Sequence, residues 1–128
     1  MADLTIVDAS VLLAHFDARD PHAAEAREIL AEADELAAST ITLAECLVGA
    51  VAAGRLEEAL QAIADLEIAE VPLPRGSAAT LARLRVETGL RMPDCCVLHA
   101  AAVSQANAVA TRDDRLRRAA QASGLRTP

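Results

Sequence analysis

Short apolar runs of strand length alternate along the chain with longer segments in which apolar residues recur every three or four positions. Leu4 to Val7 is the first such run, and Ala9 to Phe16 reads as the helix it feeds. Asp20 with Pro21 marks a helix start, the proline sitting where its missing N–H costs nothing. Ile29, Leu30, Ala33 and Leu36 carry that helix's apolar face on towards Ala37. Ser39 to Ile41 is a candidate second strand, ahead of a helix that begins near Thr42 and stops at Gly54. Leu56, Leu60, Ile63 and Leu66 mark a further helix. Ile68 to Val71 reads as a third strand closed by Pro72 and Pro74, and a helix through Ala78, Leu81 and Leu84 ends near Gly89. Pro93 and Asp94 open a helix that is apolar nearly all round and therefore buried. Ala108 to Ala110 is a fourth strand, after which Asp113 or Asp114 caps a last helix ending at Ser123 and Gly124. Such alternation predicts an α/β fold: an α/β/α sandwich around a short, mostly parallel sheet, with its ligand crevice at the carboxyl ends of the strands.

At 128 residues the chain has room for one domain, spanning 1–128, and none for a separate substrate domain. Phe16 is the only aromatic residue, so the core must be built from Ala, Leu, Val and Ile, and aromatic base-stacking platforms are excluded. The net charge is −7, from 19 acids against 12 bases that are all arginine, which rules out a catalytic lysine. An acidic chain repels polyanions, so the local distribution of charge matters more than the sum. The N-terminus carries no signal-like segment, no stretch reaches membrane-span length, and three cysteines, two of them adjacent, make a poor disulfide framework. A soluble cytoplasmic protein without membrane contact is the expectation.

Four acids occupy positions that this topology makes interesting. Asp8 and Asp113 each follow a strand, while Glu45 and Asp94 lie in the first turns of helices. Each also has an ordinary structural use. Asp8, Asp94 and Asp113 are plausible helix caps, and Glu45, three residues after Thr42, fits a capping box. Their joint placement is the informative feature, because all four can converge on one edge of the sheet. Four carboxylates in one pocket take up protons unless a cation stabilises their charged forms. Oxygen-only ligands select magnesium or manganese over zinc. A bound divalent ion also reverses the local sign, acidifies a water and supports in-line attack on a phosphodiester.

The segments TIVDASVLLA, TLAECLVGA, RMPDCCVLHAAA and AVATRDDRL, in this order and spacing, resemble PIN-domain ribonucleases of the VapC toxin type over nearly the whole chain. The resemblance implies a metal-dependent endoribonuclease in which Asp8 and Asp94 are the principal Mg2+ ligands, with Mn2+ able to substitute. Glu45 and Asp113 complete the acidic pocket directly or through water. It further implies that Thr111, from a Thr-x-Asp element, orients Asp8 with help from Ser10. A homodimer, a cognate antitoxin protein, and a structured substrate such as tRNA or ribosomal RNA are also implied. Two departures accompany it: the chain stops at Leu125 to Pro128, where relatives often add an edge strand, and Asp114 stands beside Asp113, either of which can face the pocket.

Arg112, Arg115 and Arg117 are either a solvated helix face or contacts for RNA phosphates. Cys95, Cys96 and His99 lack a second ligand pair with zinc spacing and read as core residues; His15 and His22 lie outside any motif. A haloacid-dehalogenase-like phosphatase and a receiver domain both fail for want of a lysine. The remaining rival is a catalytically silent PIN-fold module that binds RNA or protein without cutting it.

Overall fold

The structure, a computed structural model, describes residues 2–128 and consists of four strands and seven helices. The strands are β1 (Leu4–Val7), β2 (Glu35–Ser39), β3 (Ile68–Val71) and β4 (Ala108–Ala110). The helices are α1 (Ala9–Phe16), α2 (Ala23–Glu32), α3 (Thr40–Ala52), α4 (Leu56–Asp65), α5 (Ser77–Thr88), α6 (Met92–Ser104) and α7 (Asp114–Ala122). The sheet is parallel throughout, in the order β3-β2-β1-β4. Successive residues on a strand point to opposite faces, and both faces are covered. Ile6, Ala37 and Val109 pack with Leu81, Val97, Leu116 and Ala120 of α5, α6 and α7. Val7, Leu36, Ala38 and Ala110 pack with Val11, Leu12, Leu30, Leu43 and Ile63 of α1, α2, α3 and α4. The α/β/α sandwich expected from the alternation is therefore present.

Several element boundaries are corrected. The helix predicted to run to Ala37 ends at Glu32, and the second strand is Glu35–Ser39 rather than Ser39 to Ile41. ELAAS has good helix propensity, but its position between β1 and β3 buries Leu36 to Ser39 and supplies ladder partners on both sides, so tertiary context decides. Ser39 is consequently the cap of α3, accepting from the Ile41 N–H at 3.2 Å, so Glu45 lies in the second turn and forms no capping box with Thr42. The same kind of shift moves the second helix start to Ala23, after Asp20 accepts from the His22 N–H at 2.8 Å.

The helix opened by Pro93 is buried as its composition requires, with every residue from Asp94 to Ala101 shielded. The final edge strand contracts to a single parallel bridge between Ala108 and Arg126, where the Val109 N–H donates to the Arg126 carbonyl at 2.9 Å. Among the described residues no helix is long and apolar enough to cross a membrane.

Candidate active site

In a parallel sheet a crevice opens where consecutive connections leave in opposite directions. Here β1 leads to β2 on one side, while β4 joins β1 on the other. Asp8 and Thr111 directly follow these two strands, and the Asp8 N–H donates to the Ala110 carbonyl at 3.1 Å, which locks the strand ends together.

Asp8 is buried and caps α1: its Oδ1 accepts from the Val11 N–H at 3.2 Å and from the Ser10 hydroxyl at 2.6 Å. The Thr111 hydroxyl donates to Oδ2. The capping use and the site placement are thus one arrangement, since the same turn that needs a cap turns the carboxylate toward the crevice. Ser10 and Thr111 are themselves fixed, accepting from the backbone N–H groups of Arg112 at 2.9 Å and Asp113 at 3.0 Å. Both hydroxyl protons are thereby committed to Asp8. This network spans a separation of more than a hundred residues in the chain.

A cleft of about 80 Å³ lies beside Asp8, lined by Ser10, Thr42, Glu45, Arg91, Asp94 and Asp113 among others. The four acids singled out in the sequence therefore meet on one cleft, each from a different element. Glu45 stands exposed at the rim, whereas Asp94, in the first turn of α6, is buried. Loss of water raises the Asp94 carboxyl above its ordinary range; Arg91 opposes this, and Asp113 and Asp8 add to it. Glu45 is raised for the same reasons, partial desolvation first and then Asp94. Asp113 caps α7, accepting from the N–H groups of Arg115 at 2.8 Å and Leu116 at 3.3 Å, and it lines the cleft. Asp114 points away, exposed and paired with Arg117 at 2.6 Å, so Asp113 is the one of the two beside the cleft.

Oxygen donors alone, at two of which protonation is already favoured by their surroundings, fit a hard divalent cation. Among the described residues no three acidic, imidazole or thiol groups stand close enough as placed to share an ion. Zinc chemistry has no support: Cys95 and Cys96 are buried in the core, and His99 is hydrogen-bonded to Ser77 at 2.8 Å. The Cys46 thiol is pushed up to about 11 by burial and by Glu45 and Asp8, so it carries no thiolate at neutral pH.

A family model for the PIN domain matches residues 5–122. The chain belongs to the PIN-domain family. Its fold is that of VapC-type PIN proteins. A toxin–antitoxin complex from Klebsiella pneumoniae has a TM-score of 0.75 at 24% identity, covering 88% of this chain and 89% of that one. A sarcin-ricin loop cleaving VapC toxin of Mycobacterium tuberculosis has a TM-score of 0.73 at 16% identity, covering 90% and 94%. VapBC2 from Rickettsia felis, bound to a DNA fragment of its promoter, has a TM-score of 0.67 at 16% identity, covering 98% and 97%. No curated protein matches this chain by sequence.

Arg112, Arg115 and Arg117, which the sequence offers either as a solvated helix face or as contacts for RNA phosphates, all have partners within the chain. Arg112 bonds Glu25 at 2.8 Å, Arg117 bonds Asp114 and the Thr111 carbonyl, and Arg115 donates to the Gly89 carbonyl at 3.1 Å. The guanidinium on the cleft wall is instead Arg91, which sequence reasoning missed. The available signal was its spacing three residues before Asp94, on one side of a helix start.

Proposed function

We propose that this PIN domain is a divalent-metal-dependent endoribonuclease, the toxin of a toxin–antitoxin pair, hydrolysing phosphodiester bonds in structured RNA. The observation that carries this reading is the convergence of Asp8, Glu45, Asp94 and Asp113 on one small cleft. Asp8 and Asp94 are the principal ligands for Mg2+ or Mn2+; Glu45 and Asp113 support them or act through water. A bound divalent cation would supply a Lewis acid for the phosphate oxygens and an acidified water for in-line attack. The chain's own contribution is orientation. Ser10 and Thr111 direct their hydroxyl protons at Asp8, which fixes the orientation of that carboxylate, and the helix starts of α6 and α7 hold Asp94 and Asp113 on the lining of the same cleft. Clustered negative charge also repels the RNA backbone until a cation is held, so substrate and metal engage the site together.

A structured substrate such as tRNA or ribosomal RNA is part of this proposal; its support is the similarity to the M. tuberculosis toxin, which cleaves the sarcin-ricin loop. The antitoxin partner is supported by the complexes among the similar structures. It is also supported by an apolar groove of about 400 Å³ between α1, α3 and α4, lined by Leu13, Phe16, Leu47 and Ile63. A homodimer is part of the same proposal, and light scattering that returns a monomer disposes of it. Cytoplasmic placement is supported by three free cysteines.

The test is cleavage of a panel of cellular RNAs by the purified, partner-free protein with Mn2+ or Mg2+. Asp8→Asn and Asp94→Asn are expected to abolish cleavage while leaving the fold intact. If the wild-type protein leaves every RNA whole with either metal, the reading gives way to a PIN-fold module that binds without cutting.

A further inference from the structure

Arg91 is the one basic side chain among the described residues lining the acidic cleft. Its backbone is pinned: the Arg91 carbonyl accepts from the Cys95 N–H at 3.0 Å as α6 begins. The preceding Leu90 is buried and donates its N–H to the Thr88 hydroxyl at 3.1 Å, while Arg115 holds the Gly89 carbonyl. The side chain is the opposite. It is 75% exposed, and its Nε stands 3.8 Å from Asp94 Oδ2, a charge contact too long to be a hydrogen bond. Arg112, Arg115 and Arg117 are all hydrogen-bonded elsewhere, so Arg91 combines a fixed base with an uncommitted head at the cleft.

We propose that Arg91 exchanges partners: it balances Asp94 while the cleft holds no cation, and grips a phosphate of the bound RNA strand once the acids hold a divalent ion. This rests on the metal-dependent nuclease reading above. The physical reason is a change in local charge. Around the bare carboxylates a guanidinium is attracted to Asp94; a divalent ion held there offsets much of that negative charge, weakens the hold of Asp94 on the guanidinium and frees it for the nearest anion. A guanidinium presents parallel N–H donors that match two phosphate oxygens, which an ammonium does not reproduce. Arg91 is thus both a competitor of the metal and a contact for the substrate, and these two roles have opposite signatures.

The experiment compares the full chain with Arg91→Gln and Arg91→Lys, after confirming that both variants fold, by cooperative melting in the absence of metal within about 4 °C of wild type. Calorimetric titration with Mn2+ alone is expected to give about 2- to 5-fold tighter binding for Arg91→Gln, the range of an exposed ion pair. Anisotropy of a labelled RNA hairpin, with Ca2+ in place of Mn2+ to retain the strand, is expected to show roughly tenfold weaker binding. The slope of log affinity against log salt should fall by roughly 1, and Arg91→Lys should recover part of the affinity. Unchanged or weaker Mn2+ binding in Arg91→Gln overturns the proposal, as does wild-type RNA affinity with an unchanged salt slope. If the wild-type protein cuts no RNA but both signatures appear, the nuclease reading fails and the role of Arg91 stands.

Discussion

Replacing Glu45 with Gln and Asp94 with Asn together separates the charge of the cleft from its shape, because each change removes a carboxylate and almost no volume. Both carboxyls are raised in the folded chain, by loss of water first. Asp94 and Asp8 then act on Glu45, and Asp113 and Asp8 on Asp94, with Arg91 opposing in both cases. A carboxyl raised by folding binds its proton more tightly in the native state. Its contribution to stability is complete below the unfolded value of about 4 and is lost as the pH climbs through the raised folded value. Without metal, wild type and double variant should therefore melt at similar temperatures at low pH, and the variant should pull ahead as the pH approaches neutrality. Mn2+ should reverse that order. An ion at a hundred times its dissociation constant stabilises by about 2.7 kcal/mol. The unfolding entropy of a chain of 128 residues is about 0.27 kcal/mol/K, so wild type should gain about 10 °C at neutral pH. The gain should shrink in acid, where the ion must displace protons, and the double variant should gain little at any pH. Scanning calorimetry across pH, with and without Mn2+, reads all of this. Equal metal-induced shifts in both proteins, or superimposable pH profiles without metal, would refute a shared cation site at these carboxylates.

Thr111→Val should leave Asp8 Oδ2 and the Asp113 N–H without their partner. It should destabilise the fold by about 1–3 kcal/mol in urea unfolding and weaken Mn2+ binding; a purely structural role for Thr111 predicts the first effect without the second. Ser39→Ala removes the cap of α3 at a fully buried strand end and should cost about 1 kcal/mol. A helix that begins at Thr42 instead would leave that substitution almost neutral.

The strands at Leu4, Ile68 and Ala108 and the buried helix after Pro93 were legible because each is set by local composition: short, largely apolar runs marked off by residues such as Asp8, Pro72, Pro93 and Asn107. The second strand was not. Glu35 to Ser39 has no β-branched residue, and only burial between two neighbours makes it a strand. That one change moves the cap from Thr42 to Ser39 and Glu45 from a capping role to the cleft rim. The two uses of Asp8 could not be separated by its local sequence, because a cap and a crevice carboxylate occupy the same position after a strand.

Local sequence determined the layered architecture, a mostly parallel sheet and which acids stand next to strand ends and helix starts, since period and punctuation are written within windows of a few residues. The fold alone decided that Asp113 and not Asp114 borders the cleft, that Arg112, Arg115 and Arg117 are spoken for, and that Arg91 stands beside Asp94 with its head uncommitted. Those outcomes depend on which groups meet across tens of residues of chain. Partner choice between distant side chains is settled by the register of β1 against β4 and by the seating of α6 and α7, which no local window contains.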